Sequence, residues 1–327
     1  MAAPAAQVEL AYASALQELP NFLPTHGMEP VGIADLRDVI ARRYTARGGL
    51  PTTAEQIMVT SGAQHALRLL LSVLTSPGER VLVDHPTYPN ALEAIRRNGA
   101  RPVPVPVRPE FAAAGAWDLD GIRSAARQTA ARMAYLIPPD FHNPTGLCMD
   151  SSGRAELAKI AHETRMTLVV DETMVDLWLD APPPAPVASH GRGAAKTEVV
   201  TLGSTAKSLW GGGLRVGWIR ADAALITQLV GGARAAVDLG TPVMDQLAAA
   251  TCSPTTARCS NSVAKFCENS VRYSSGGGGR ASAGLASHHR FRRNVGLDAN
   301  VRARLDGVGG GGTQLRRTPC RRPPVSA

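Results

Sequence analysis

An α/β fold, with a mostly parallel sheet layered between helices, is what the first 250 residues predict. Three observations carry this. Apolar segments of helical spacing alternate with short β-rich runs from about residue 33 to residue 220. The β-rich runs are unbroken apolar stretches, as in strands covered on both faces. Polar and glycine-containing motifs follow the ends of those runs, where open α/β sheets bind ligands.

The elements read in order. Ile33 to Arg47 has helical spacing, and Gln56-Ile-Met-Val-Thr60 is a strand. Ala63 to Leu74 is helical and Arg80 to Asp84 extended. Asn90 to Asn98 is helical, followed by an extended Arg101 to Val107. Leu119 to Gln128 is helical and Met133 to Ile137 a strand. Ser152 to Thr164 is helical and Thr167 to Val170 a strand. Glu198 to Leu202 and Leu214 to Ile219 are two more strands, and residues 222–250 read as one or two long helices. Residues 181–186, Ala-Pro-Pro-Pro-Ala-Pro, read as a surface loop.

Composition bounds the rest. The chain has 327 residues, 44% apolar and 19% charged, which reads as soluble and globular. No apolar run reaches the ~18 residues of a membrane helix, and the start lacks the basic and apolar regions of a signal peptide, so the cytoplasm is expected. The net charge of +8 is uneven. Residues 252–327 hold 13 Lys and Arg against 3 Asp and Glu, whereas residues 1–251 hold 22 against 24. That tail has glycine runs at 276–279 and 309–312 and only 12 Val, Ile, Leu or Phe among its 76 residues, so it is expected to be disordered. It lacks interleaved aromatics, so its basicity does not predict nucleic-acid binding. The abrupt change at Thr251–Cys252 is what a GC-rich gene read in another frame would produce. Cys252, Cys259, Cys267 and Cys320 fit no zinc spacing, and with Cys148 are read as free thiols.

Five motifs carry candidate chemistry. Ser204-Thr-Ala-Lys207 follows a strand, with Arg215 eight residues beyond the lysine. A lysine that attacks carbonyls needs a lowered pKa and a fixed position; a surface lysine is the other reading. Thr60-Ser-Gly62-Ala63-Gln64 is a strand end, a glycine and a helix start, suited to phosphate, although Ser61 also reads as an N-cap. In Asp84-His-Pro-Thr-Tyr88-Pro, Tyr88 presents an aromatic face or anchors a turn. Asn143 in Asn143-Pro-Thr-Gly146 offers an amide or marks a turn. In Val169-Val-Asp171-Glu172, Asp171 ends a buried strand, where it needs a cationic ring nitrogen or a salt bridge.

Taken in this order and spacing, the motifs resemble the class I/II aminotransferase family of pyridoxal 5′-phosphate (PLP) fold type I, over roughly residues 20–250. The segments Phe22 to Gly32 and Leu209 to Trp218 resemble the aminotransferase-like half of MocR-type regulators of the GntR family. The resemblance implies a three-layer α/β/α large domain over 45–240. Residues 1–44 and 241–251 would belong to an incomplete small domain. It implies PLP held by Lys207 as a Schiff base, Asp171 on the pyridinium nitrogen, Asn143 on the ring oxygen and Tyr88 stacked on the ring. Gly62, Ala63, Gln64, Ser204 and Arg215 would serve the phosphate. Thr173 and Met174 stand where many relatives place a tyrosine, and Thr173 would substitute weakly. No arginine for a substrate carboxylate is found in 252–327.

The activity implied is amino-group transfer between amino acids and 2-oxo acids, by a homodimer. The alternatives are a PLP-sensing effector domain without its DNA-binding half and a PLP-dependent carbon–sulfur lyase. MocR-type relatives carry a winged helix ahead of this region; none is recognised in this chain, so DNA binding is not expected.

Overall fold

The computed structural model describes residues 5–108, 116–136, 139–178, 181–191, 198–208 and 213–251. The expected disordered tail and its four cysteines lie outside them, as do Ile137 and residues 209–212.

Seven strands form one sheet: β1 (Ile57–Thr60), β2 (Arg80–His85), β3 (Arg101–Pro106), β4 (Met133–Leu136), β5 (Thr167–Asp171), β6 (Val199–Ser204) and β7 (Gly217–Arg220). Their order is β1-β7-β6-β5-β4-β2-β3. β2, β3, β4, β5 and β6 pair in parallel, and β7 runs antiparallel to both β1 and β6. The helices are α1 (Ala5–Glu18), α2 (Ala34–Gly48), α3 (Ala63–Leu74), α4 (Pro89–Arg97), α5 (Leu119–Thr129), α6 (Ser151–Thr164), α7 (Thr205–Ser208), α8 (Ala223–Gln228) and α9 (Val243–Thr251).

Alternate strand residues enter two separate cores, because successive side chains of a strand point to opposite faces. Ile57, Val59, Leu82, Leu168 and Val170 pack with α1, α2, α5, α6 and α9. Met58, Val81, Val83, Tyr135 and Val169 pack with α3, α4 and α8 on the other face. Both faces are therefore covered, and the architecture has the expected three layers.

Two expectations need correction. The strand expected over Leu214 to Ile219 begins only at Gly217. The Val216 carbonyl, one step beyond the Ser204–Gly217 pair, accepts the Thr205 N–H where α7 begins and also the Ser204 and Thr205 hydroxyls. Residues 222–250 are not one or two long helices. After α8 the helix widens into a π turn at Leu229–Ala233, which contains Gly231 and Gly232, and tightens to a 3₁₀ turn at Arg234–Ala236. Leu239 then takes a left-handed φ of 61°, and α9 starts after Pro242. The buried Arg234 holds this bend by donating to the carbonyl of Val59 and to Thr241 Oγ1. α1 was not anticipated; it packs on α9, where Tyr12 donates to Asp245 Oδ1 at 2.8 Å.

Candidate active site

The sheet brings the motifs to one edge. β1, β2, β4, β5 and β6 point the same way, so Thr60, His85, Leu136, Asp171 and Ser204 end there. β7 is reversed, so its first residue lies at that edge. Gly217 stands opposite both Thr60 and Ser204, and Arg215 arrives just before it.

One cavity of about 230 Å³ opens at this edge. It is lined by Ala63, Gln64, Tyr88, Asn143, Asp171, Thr173, Ser204, Lys207 and Arg215, together with Tyr135, Met174 and Ala206. Of the residues singled out in the sequence only Gly62 does not line it, and its part is steric. Its φ is 91° and ψ 167°, a region open essentially to glycine alone. A Cβ there would stand 2.6 Å from Arg215 Nη2. A Cβ on Gly217 would meet the backbone of Gly62 at 2.6 Å. Two glycines thus let strand, turn and arginine close up.

The lining groups differ in how they are held. Arg215 is exposed and donates to the Ser61 carbonyl at 3.3 Å. The Gln64 side-chain amide donates to the Asn90 carbonyl at 3.1 Å, and α3 begins at Ala63, where Ala63 and Gln64 line the cavity. Asn90 in turn donates to the Tyr88 hydroxyl at 2.7 Å and fixes that ring at the start of α4. The Ser204 hydroxyl donates to the Val216 carbonyl at 3.2 Å and accepts from the Ala206 N–H. Lys207 sits on the short α7, exposed. Asp171 is buried; it accepts from the Thr173 N–H at Oδ1, 3.0 Å, and from the Tyr135 hydroxyl at Oδ2, 2.7 Å. Burial, then the Asp171 charge and hydrogen bond, push the Tyr135 phenol well above its usual range.

Tyr135 escaped the sequence reading. It lies in a run of apolar strand residues, and the only hint was its hydroxyl, which a buried strand must satisfy. Also missed was the charge network behind the site. Arg47, from α2, reaches Glu172 at 2.8 Å and Asp140 at 3.4 Å. The fully buried Arg154 pairs with Asp140 at 2.5 Å and donates to the carbonyls of Met149 and Pro139. These contacts pin the loop that carries Asn143 and the residue after Asp171. Burial raises the Glu172 carboxyl above its ordinary value. Next to Asn143, His142 is buried, shares a hydrogen bond with Thr145 at 2.8 Å, and is pushed down to about 4 by burial. Its Nε2 lies 3.6 Å from Asp84, too far for a hydrogen bond to oppose that.

An amine, a buried carboxylate, an aromatic ring, an amide and a guanidinium around one cavity can hold a flat polar ring bearing an anionic group. The family model for aminotransferase class I and II matches residues 4–271. The chain belongs to the class I and II aminotransferase family. This aminotransferase-family match runs past residue 251, into the segment where the sequence reading saw no relative. The arginine–pyruvate transaminase of Pseudomonas aeruginosa is 34% identical over 209 residues, 63% of this chain and 50% of that protein. An uncharacterized HTH-type transcriptional regulator of Bacillus subtilis, YdfD, is 28% identical over 205 residues, 62% of this chain and 39% of that protein. Among solved structures, the alpha-aminoadipate aminotransferase LysN of Thermus thermophilus, complexed with N-(5′-phosphopyridoxyl)-L-leucine, superposes with a TM-score of 0.71. It is 27% identical, over 82% of this chain and 66% of that one. The aminotransferase-family chain therefore spans about half the length, or less, of these two curated relatives. Among the described residues no helix is long and apolar enough to cross a membrane.

Proposed function

We propose that the chain binds PLP covalently at Lys207 and transfers amino groups between amino acids and 2-oxo acids. The observation that carries this reading is the convergence of Lys207, Asp171, Tyr88, Asn143 and Arg215 on one cavity. The donor set fits the cofactor: a cation and helix-start amides for a phosphate, a buried acid for a pyridinium, an aromatic face and an amide for the ring. When bound, PLP supplies an electron sink for bonds at the α-carbon of an amino acid.

The chain's own residues divide the remaining work. The backbone amides of Ala63 and Gln64, with Arg215 and the Ser204 end of β6, hold the phosphate. Asp171 would face the ring nitrogen and hold a proton there. Tyr88 would cover one ring face and Asn143 would donate to the ring oxygen, with Thr173 beside it on the cavity wall. Lys207 Nζ would hold the cofactor, and its amine would be the group placed to move a proton at the α-carbon of a bound amino acid. Residues 1–44 and 241–251 are assigned to a small domain around the large one at 45–240, in a homodimer.

The regulator relatives favour a second reading, an effector domain that senses an amino acid through the same site. A carbon–sulfur lyase is the third. The test is to purify the chain with PLP and record its visible spectrum beside Lys207→Ala. A wild-type spectrum of free PLP alone, unchanged by the substitution, would sink the proposal. A panel of amino acids then separates the readings. Release of a 2-oxo acid with the cofactor left as its amine marks transfer. A spectral change without product marks sensing, and release of sulfide from a thiol amino acid marks a lyase.

A further inference from the structure

Among the described residues, the Tyr135 hydroxyl makes its hydrogen bond to Asp171. In the parallel β4–β5 register Tyr135 stands beside Val169, and Asp171 lies two residues on, at the end of β5 and on the same face. The phenol is 2% exposed, lines the cavity, and donates to Asp171 Oδ2 at 2.7 Å. The Thr173 N–H takes Oδ1 at 3.0 Å. Each carboxylate oxygen thus has one donor, and the plane of the group is fixed from two sides. No Lys or Arg pairs with Asp171 among the described residues, so both holding groups are neutral.

We infer that Tyr135 is a positioning residue: its hydroxyl orients the Asp171 carboxylate toward a cationic ring nitrogen in the cavity. This rests on the cofactor reading above. The groups facing the phenol are Asp171, Asp84 and Tyr88; all of them oppose its ionisation, so Tyr135 stays a donor and Asp171 the acceptor. A phenylalanine would retain the packing and remove the donor. Asp171 would then be freer to turn away, and its contact with the ring nitrogen would weaken. The positive charge of the ring would fall, and the bond to Lys207 would hold its own proton to higher pH.

The experiment compares PLP-loaded wild type, Tyr135→Phe, Asp171→Ala and the double variant. Borohydride trapping followed by mass spectrometry reports the bond to Lys207. Titration reports PLP affinity and the pH midpoint of the visible band. Trapping is expected to persist in Tyr135→Phe, with affinity up to roughly tenfold weaker because a loosely held carboxylate makes a poorer charge-assisted bond to the ring nitrogen, and with a raised pH midpoint. In the Asp171→Ala background, Tyr135→Phe is expected to change neither quantity, because its partner is already gone. Wild-type affinity and midpoint in Tyr135→Phe overturn the inference, and so does an undiminished effect in the Asp171→Ala background. Failure to trap wild type at Lys207 instead overturns the cofactor reading, and this inference with it. If Tyr135→Phe does not fold, fluorotyrosine labelling of the other forms decides. The Tyr135 fluorine resonance should move when PLP is added to wild type and stay still in Asp171→Ala; a resonance that ignores PLP in wild type overturns the inference.

Discussion

Gly62→Ala tests the geometry of the site without touching a chemical group. The alanine must hold φ near 91° and ψ near 167°, which costs about 1–3 kcal/mol for a residue with a side chain. Its Cβ would also fall 2.6 Å from Arg215 Nη2, and the guanidinium, as the end of a flexible side chain, would swing away. The fold should therefore lose about 1–3 kcal/mol, a drop in Tm of roughly 2–12 °C for a unit of this size. PLP affinity should fall by roughly tenfold or more, one charge-assisted hydrogen bond to the phosphate. Gly78→Ala is the control: its φ is 87°, and a Cβ there has nothing within 4 Å. It should lower Tm and leave PLP affinity alone. Thermal melts and PLP titrations of both variants decide. Equal PLP affinity in Gly62→Ala and wild type would refute the claim that this glycine makes room for Arg215.

Two further outcomes follow from buried charges. Arg154→Met strands Asp140 beneath the loop that carries Asn143, and should cost about 3–5 kcal/mol in denaturant unfolding; a loss under 1 kcal/mol would mean that the pair is idle. His142 sits below its unfolded value of 6.5, at about 4. The unfolded chain thus binds more protons between those values. The stability this adds is full above pH 6.5 and is lost as pH falls toward 4, about 3 kcal/mol in all. His142→Gln should flatten the fall in unfolding free energy between pH 7 and pH 4.5, and an unchanged slope would contradict burial as the cause.

Most of the fold was legible because period and punctuation agreed. Ala63 to Leu74 has clean helical spacing between a glycine and a strand, and its limits were read to the residue. Residues 222–250 were not legible, because their helical spacing continues through a bend made by contacts distant in sequence. Arg234, which holds that bend, bonds to Val59 and looks like an ordinary surface residue in the chain. The candidate site was legible as a set of motifs at strand ends. Its second tier was not: Tyr135, Arg47 and Arg154 act through partners 14 to 125 residues away, and no local pattern marks such pairs.

The reversed strand β7 also bears on how the chain can fold. β1, near the start of the sheet-forming sequence, pairs in the described sheet with β7 alone, which is the last of the described strands in the chain. All four β1 residues are buried in the finished molecule. On the ribosome they must wait for Gly217–Arg220 to emerge, roughly 160 residues later. Such a long closure is slow, and a partnerless apolar strand is prone to wrong pairings meanwhile. The two anchors that meet across this seam, the α3 turn and Arg215, are therefore the last parts of the phosphate cradle to assemble, and nascent chains shorter than about residue 220 should depend on chaperones.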